Sequence, residues 1–300
     1  QLLPEQNRVR LIKKINLAFE YKFQPTAGWA ETGPLEYLIV TSQTMDTVFA
    51  PLARWRQQTG FNTGCRTIEW ITSVYPGRDP AEKLRNYLQP CAQDSGLKYL
   101  LLGGDVDIVP VRKAFAMACS AGLHPREDSL PCDFYFSCLD GNWDADGDGV
   151  FGETDDSVDL YPDIYVGRVP ANTPEQARAY VDKLIAYELA RANDYQTRTL
   201  FSAAILWDEP YTDEAIAKER IAAQALPVGF GPIHKLYESR MAVTVDTACA
   251  LLNSGFGFFN HCGHGWFNAL SLARGATLRN QDVDGLINTS RAGIGYSIGC

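Results

Sequence analysis

Two short segments near the end of this 300-residue chain combine the residue types that thiol chemistry needs. In Phe258-Phe-Asn-His-Cys-Gly-His-Gly265 an apolar run leads into a glycine-flanked imidazole. His264 therefore falls at the carboxyl end of an expected strand, where open α/β sheets place their ligands. In Ile294-Gly-Tyr-Ser-Ile-Gly-Cys300 a second apolar run ends in glycine and a potential nucleophile. Neighbouring strands ending in His and Cys supply what a thiolate mechanism requires, an imidazole within hydrogen-bond reach of the sulfur. The expected pair is Cys300 as nucleophile and His264 as base and acid. The amides of Gly265 and Cys300 are the natural donors to an oxyanion, and glycine on both sides of His264 lets backbone approach a substrate. Either residue alone reads equally well as core or loop; their place at consecutive strand ends favours chemistry.

His261 and Cys262 form a rival pair, but adjacent strand residues point to opposite faces and serve each other poorly. A metal held by His261, Cys262 and His264 would have three crowded ligands and a poor tetrahedron. The segment Asp144-Ala-Asp-Gly-Asp-Gly-Val-Phe-Gly-Glu-Thr-Asp155 carries different chemistry. Asp144, Asp146 and Asp148 stand at loop positions 1, 3 and 5, glycine at 6, the Val150 carbonyl at 7 and Asp155 at 12, the spacing of a Ca²⁺ loop. The bidentate Glu usual at position 12 is missing, and Glu153 is an alternative ligand. No helix-pair pattern flanks the loop, so a structural Ca²⁺ is expected, and an acidic turn without metal is the bland alternative.

The elements that must position these groups follow from the apolar pattern. Alternation at Ile15, Leu17, Phe19 and Tyr21 marks a strand ahead of a Pro- and Gly-rich linker ending near Pro34. Strand-like runs then alternate with helical ones: Tyr37–Thr41, Asp46–Gln58, Cys65–Trp70, Pro80–Gln93 and Tyr99–Leu102. After a long irregular insertion over about 110–160 come Ile164–Val169 and a helix that Thr173-Pro174 starts. The alternation resumes with Phe201–Leu206, Glu214–Ala225, His234–Tyr237, Thr244–Asn253, Gly257–Asn260, Gln281–Ile287 and Gly293–Ile298. This pattern implies two α/β halves divided near residue 195, each with a largely parallel sheet flanked by helices.

A net charge of −9 and a pI near 5.0 argue against a nucleic-acid partner. No apolar run reaches membrane-spanning length, and Gln1 does not open a signal peptide. The absent initiator Met and the stop at Cys300 read as a piece of a longer protein, truncated at its carboxyl end. Of the eight cysteines, Cys119, Cys132 and Cys138 cluster in a loop-rich stretch where one disulfide fits an oxidising compartment, without zinc-site spacing. Cys65, Cys91 and Cys249 read as small buried residues.

Asn260-His-Cys-Gly-His-Gly265 resembles the catalytic-histidine motif of gingipain-like cysteine peptidases, and the strand ending in Cys300 resembles the segment presenting their nucleophile. Tyr99-Leu-Leu-Leu-Gly-Gly-Asp-Val-Asp-Ile-Val-Pro110 and Asp163-Ile-Tyr-Val-Gly-Arg-Val-Pro170 match two further landmarks in the same order. The resemblance covers most of 35–300. It implies a caspase-like fold, with residues 1–34 as a prodomain tail and linker, 35–195 as the first subdomain and 196–300 as the second. It also implies a secreted or cell-surface bacterial endopeptidase cleaving protein or peptide substrates, with no organic cofactor, and with its own prodomain or further carboxyl-terminal domains as partners. Where the family has a third catalytic acid, this chain offers Asp208 or Glu209. Asp213 or Glu214 lies where some members hold a specificity acid, but the surrounding match is weak and no preference for Arg or Lys follows. The chain has Gly299-Cys300 where the family has Ala-Cys. The alternatives are an inactive calcium-stabilised surface or secretion-associated module of the same fold, and a hydrolase of non-peptide amides.

Overall fold

The computed structural model describes residues 34–116, 129–190 and 194–299. The expected prodomain tail with its strand, Cys119 and any disulfide it makes, and Cys300 lie outside the described residues.

The first half contains β1 (Tyr37–Thr41), α1 (Asp46–Gln58), β2 (Thr63–Thr67), α2 (Ile68–Val74), α3 (Pro80–Ser95), β3 (Tyr99–Gly103), β4 (Arg112–Phe115), β5 (Ser129–Cys132), β6 (Tyr165–Val169) and α4 (Pro174–Leu189). A four-stranded parallel sheet runs in the order β2-β1-β3-β6. Strand side chains alternate between faces. Leu38, Val40, Leu100 and Leu102 therefore share one core with Ile71, Leu84 and Leu88. Ile39 and Leu101 pack on the other side against Phe49, Leu52 and Val181. Each such side chain contributes about 1.5–3 kcal/mol on burial, which explains why both sheet faces read as apolar runs.

Helix ends follow local chemistry. The Asp79 carboxylate accepts from the Glu82 amide at 2.9 Å ahead of Pro80, and α3 stops at left-handed Gly96 (φ +74°). Arg112 also donates to both Asp79 oxygens, at 2.9 and 2.8 Å. Burial by itself raises the Asp79 carboxyl, but the Arg112 fork and the Glu82 amide outweigh it and hold the group below its ordinary value.

The insertion between β3 and β6 is less irregular than its sequence implies. It holds the antiparallel β4–β5 pair and buries Tyr135, Phe136 and Trp143 against the first sheet. Arg168 of β6 ties this region down. It donates to both Asp133 oxygens at 2.7 Å and to the carbonyls of Gly104, Val109 and Pro110 at 2.9, 2.7 and 3.0 Å.

The second half contains β7 (Thr199–Ala203), β8 (Ile205–Asp208), β9 (Tyr211–Asp213), α5 (Ala215–Gln224), β10 (Ile233–Tyr237), α6 (Val245–Ser254), β11 (Phe258–Cys262), β12 (Gly265–Trp266), β13 (Ala269–Ala273), β14 (Ala276–Arg279), α7 (Asn280–Asp284) and β15 (Ile294–Ile298). Its parallel sheet has the order β10-β7-β11-β15. Leu200, Leu236, Phe256 and Leu272 pack on one face; Phe201, Ala203, Ala215 and Tyr237 pack on the other.

Two expected strands are shorter than their apolar runs. The run Cys65–Trp70 leaves the sheet after Thr67, whose hydroxyl accepts from the Trp70 amide and starts α2. The run Phe201–Leu206 breaks at Ala204. Glu238 accepts from the Ile205 amide at 2.8 Å, and the chain turns into the antiparallel β8–β9 hairpin. The three-stranded sheet β12-β13-β14 was not anticipated, because its strands are short and lack clean alternation.

Candidate active site

β11 and β15 lie side by side and parallel, with Cys262 opposite Ile298. His264 lies two residues past the end of β11, and position 300 lies two residues past the end of β15. Parallel register thus brings both chain segments to the same edge of the sheet. The Gly263 amide donates to the Ile298 carbonyl at 3.1 Å, carrying the pairing beyond β11. A Cβ on Gly299 would stand 3.0 Å from the Gly263 oxygen and 3.2 Å from Gly265 N and Cα. The chain at 299 therefore passes against the two glycines that bracket His264, and a side chain there would crowd the backbone.

His264 is exposed, and its Nε2 lies 3.1 Å from the Leu206 carbonyl. A carbonyl only accepts, so Nε2 carries the proton in the neutral ring and Nδ1 bears the lone pair. The Trp207 indole meets the imidazole edge-on, with centroids 5.1 Å apart. On the other side, the Ser271 amide donates to the His264 carbonyl at 2.8 Å. Gly265 is opposite Leu270 in the same ladder. The bond one step back makes 265–270 a non-hydrogen-bonded pair, which leaves the Gly265 N–H outside the hairpin.

Asp208 does not engage His264. Its carboxylate sits at the exposed end of β8 and pairs with Arg274 at 2.5 Å. The Arg274 guanidinium supplies the charge partner that the acid would otherwise seek, and among the described residues no hydrogen bond joins Asp208 to the imidazole. The group on His264 is instead the backbone carbonyl of Leu206, which no side-chain motif announces. Glu238 fastens both flanking hairpins, accepting from the Ile205 amide at 2.8 Å and the Arg274 amide at 2.9 Å. Asp213 accepts from the Ala215 amide at 2.9 Å, at the start of α5, and Glu214 lies close enough to Cys262 to raise its thiol.

His261 and Cys262 diverge, as alternation requires. Both nitrogens of buried His261 are engaged, by Ser297 Oγ at 2.9 Å and the Ser271 carbonyl at 2.8 Å. Burial, followed by Glu214, pushes the Cys262 thiol up to about 11, which keeps it protonated near neutrality and unsuited as a nucleophile. Cys132 and Cys138 are free thiols, and burial followed by Asp159 pushes Cys138 up to about 12.

The acidic loop closes one residue later than its spacing implies. Asp144 and Asp146 converge with Asp156, and Asp146 and Asp148 with Glu153. Asp155 is exposed. Asp156 is drawn inward by the amides of Ala145, Gly152 and Glu153, which donate to it at 2.5, 2.8 and 3.2 Å. The adjacent Asp155-Asp156 pair was the available sequence signal. Asp144 accepts from the Gly149 amide at 3.0 Å and from Arg78. Burial and then the charges of Asp148, Asp146, Asp156 and Asp155 push the Glu153 carboxyl up, so the cluster is short of positive charge despite Arg78.

Two parallel sheets flanked by helices, with the His264 and Gly299 segments at the same end of the second, define a caspase-like fold. Residues 30–300 match peptidase family C25, and the chain belongs to that family, which includes the gingipains. Lys-gingipain of Porphyromonas gingivalis is 24% identical over 239 residues, covering 77% of this chain and 12% of that protein. Lys-gingipain W83 of the same organism is 22% identical over 238 residues, with the same coverage. The solved complex of the Porphyromonas gingivalis RgpB pro- and mature domains superimposes with a TM-score of 0.65 at 19% identity, covering 88% of this chain and 55% of that one. The Arg-specific cysteine proteinase gingipain R (RgpB) gives 0.67 at 18%, covering 88% and 54%. The chain thus spans about an eighth of the curated relatives (12%) and just over half of the solved ones.

Proposed function

We propose that the protein is a secreted or cell-surface cysteine endopeptidase in which Cys300 attacks a peptide carbonyl and His264 moves the proton. The observation that carries this reading is the parallel β11–β15 register, which brings the His264 and Gly299 segments together. His264 Nδ1 takes the Cys300 thiol proton as sulfur bonds to the carbonyl carbon. The oxyanion is met by the Gly265 and Cys300 amides. Collapse expels the amine, which takes the proton from Nδ1 and leaves a thioester. Water, deprotonated by His264, then releases the acid and regenerates the thiol. The Leu206 carbonyl keeps Nε2–H oriented throughout and stabilises the imidazolium, a role otherwise given to a carboxylate. Among the described residues no helix is long and apolar enough to cross a membrane. A relative solved as a complex of its pro- and mature domains supports a prodomain as a partner here.

The test is cleavage of a mixed peptide library by the full-length protein, with calcium, against Cys300→Ala. Cleavage lost in the variant supports the nucleophile and reports the residue preference. A folded wild type that cuts nothing, with a thiol no more reactive than free cysteine, sinks the reading and leaves the inactive module.

The acidic loop is proposed to hold one structural Ca²⁺ through Asp144, Asp146, Asp148, Glu153, Asp156 and the Val150 carbonyl, where the ion neutralises the surplus charge and fixes the insertion. A loop at the weak end of the calcium range suits an extracellular protein. Calcium at about 100 times its dissociation constant is expected to add about 2.7 kcal/mol of stability, read as a rise in Tm that chelation reverses. Asp156→Asn should abolish the rise and Asp155→Asn should spare it; the opposite result would restore Asp155 as the ligand.

A further inference from the structure

His261 is fully buried and takes no part in the proposed chemistry, yet its ring joins the two segments that do. It occupies the β11 position beside Ser202 of β7 and Ser297 of β15. Its Nε2 lies 2.8 Å from the Ser271 carbonyl, which can only accept, so Nε2 carries the proton. Nδ1 then has a lone pair, and Ser297 Oγ donates to it at 2.9 Å.

Both partners are placed for consequence. Ser297 precedes Cys300 by three residues on the same strand, and the amide of Ser271 holds the His264 carbonyl at 2.8 Å. A Cβ on Gly263 would stand 2.7 Å from His261 Nε2 and 2.3 Å from the Ser271 oxygen. The glycine before His264 is therefore required by the ring beneath it. A buried imidazole is expensive unless both nitrogens are satisfied, and these two bonds are made to the two segments that must stay in register.

We infer that His261 is a positioning residue: through Ser297 and Ser271 it locks the strand leading to Cys300 against the hairpin that holds His264. The inference rests on the proposed Cys300–His264 chemistry. Phe259 lies beside the ring at a centroid distance of 6.5 Å and offers no alternative polar partner. Burial, and then the positive charge of Lys218, push His261 below its ordinary value, while the bond to Ser271 opposes them. The ring is thus held neutral, in the tautomer that accepts from Ser297.

The experiment measures peptide cleavage and the pH profile of Cys300 alkylation in the full-length protein, for wild type, Cys300→Ala, Ser297→Ala, Ser297→Thr and His261→Phe. Ser297→Ala removes a single hydroxyl and leaves the backbone pairing of β15 with β11 in place. It is expected to lower kcat about tenfold, the scale of one lost hydrogen bond, with KM within about twofold. The alkylation profile should move to higher pH, since a displaced imidazole activates the thiol less. Ser297→Thr, which keeps the hydroxyl, should restore both. His261→Phe, similar in volume but without donors, should repeat the alanine phenotype if it folds. A merely structural role would lower Tm and leave the alkylation profile of the folded protein in place. Unchanged kcat and an unchanged profile in Ser297→Ala would overturn the inference. A wild type whose cleavage survives Cys300→Ala would instead remove the chemistry on which it rests.

Discussion

Replacing His264 with alanine is expected to lower kcat/KM on peptides by about 10²–10⁴-fold, the range for losing the group that takes and returns a proton. The loss should fall almost wholly on kcat, because the ring acts on the reacting atoms rather than on remote parts of the substrate. The fold should survive. His264 is exposed, and among the described residues its side chain bonds to a backbone carbonyl alone, so a stability change within about 0.5 kcal/mol is expected. Asp208→Ala is the companion measurement. Its carboxylate pairs with Arg274, and both side chains are mostly exposed, so the pair contributes little to stability. If the Leu206 carbonyl orients the imidazole, Asp208→Ala should cost less than about tenfold in kcat, far short of a removed triad acid. A His264→Ala loss below tenfold would end the assignment of that residue, and a thousandfold loss in Asp208→Ala would return the acid to the site.

The largest stability effect is expected at Arg168. Its guanidinium makes five hydrogen bonds, two to Asp133 and three to the carbonyls of Gly104, Val109 and Pro110, with the side chain 11% exposed. Arg168→Met keeps much of the volume and removes every donor. Three carbonyls and a carboxylate then lose their partner, at a cost of about 3–5 kcal/mol. Chemical denaturation should show the loss as a lower midpoint with an unchanged slope. Arg168→Lys should recover only part, because an ammonium cannot reproduce the fork. A loss under about 1 kcal/mol in Arg168→Met would mean that water replaces those donors freely. Arg168 also joins two separate sequence landmarks: the turn at Gly104–Pro110 and the strand Tyr165–Val169 are halves of one hydrogen-bonded joint.

Local pattern carried much of this protein. The runs Tyr37–Thr41, Tyr99–Leu102, His234–Tyr237 and Gly293–Ile298 are strands in the structure, and Asp46–Gln58 and the Thr173-capped segment are helices. Side-chain alternation, helical periodicity and capping are properties of a few consecutive residues, so one sequence suffices to see them. The strand ends that carry the His264 and Gly299 segments were legible for the same reason, since glycine marks each of them. What depends on which segments meet was not legible. Asp208 looked like a partner for His264 until Arg274 took it, and the Leu206 carbonyl has no side chain to reveal it. Asp155 held the expected loop position, but the amides of Ala145, Gly152 and Glu153 draw Asp156 inward instead. His261 read as a rejected rival, and only the register that sets Ser297 beside it, with Ser271 beneath, gives it a place. Hydrogen-bond partners far apart in sequence are chosen by packing, and packing is decided by the tertiary structure alone.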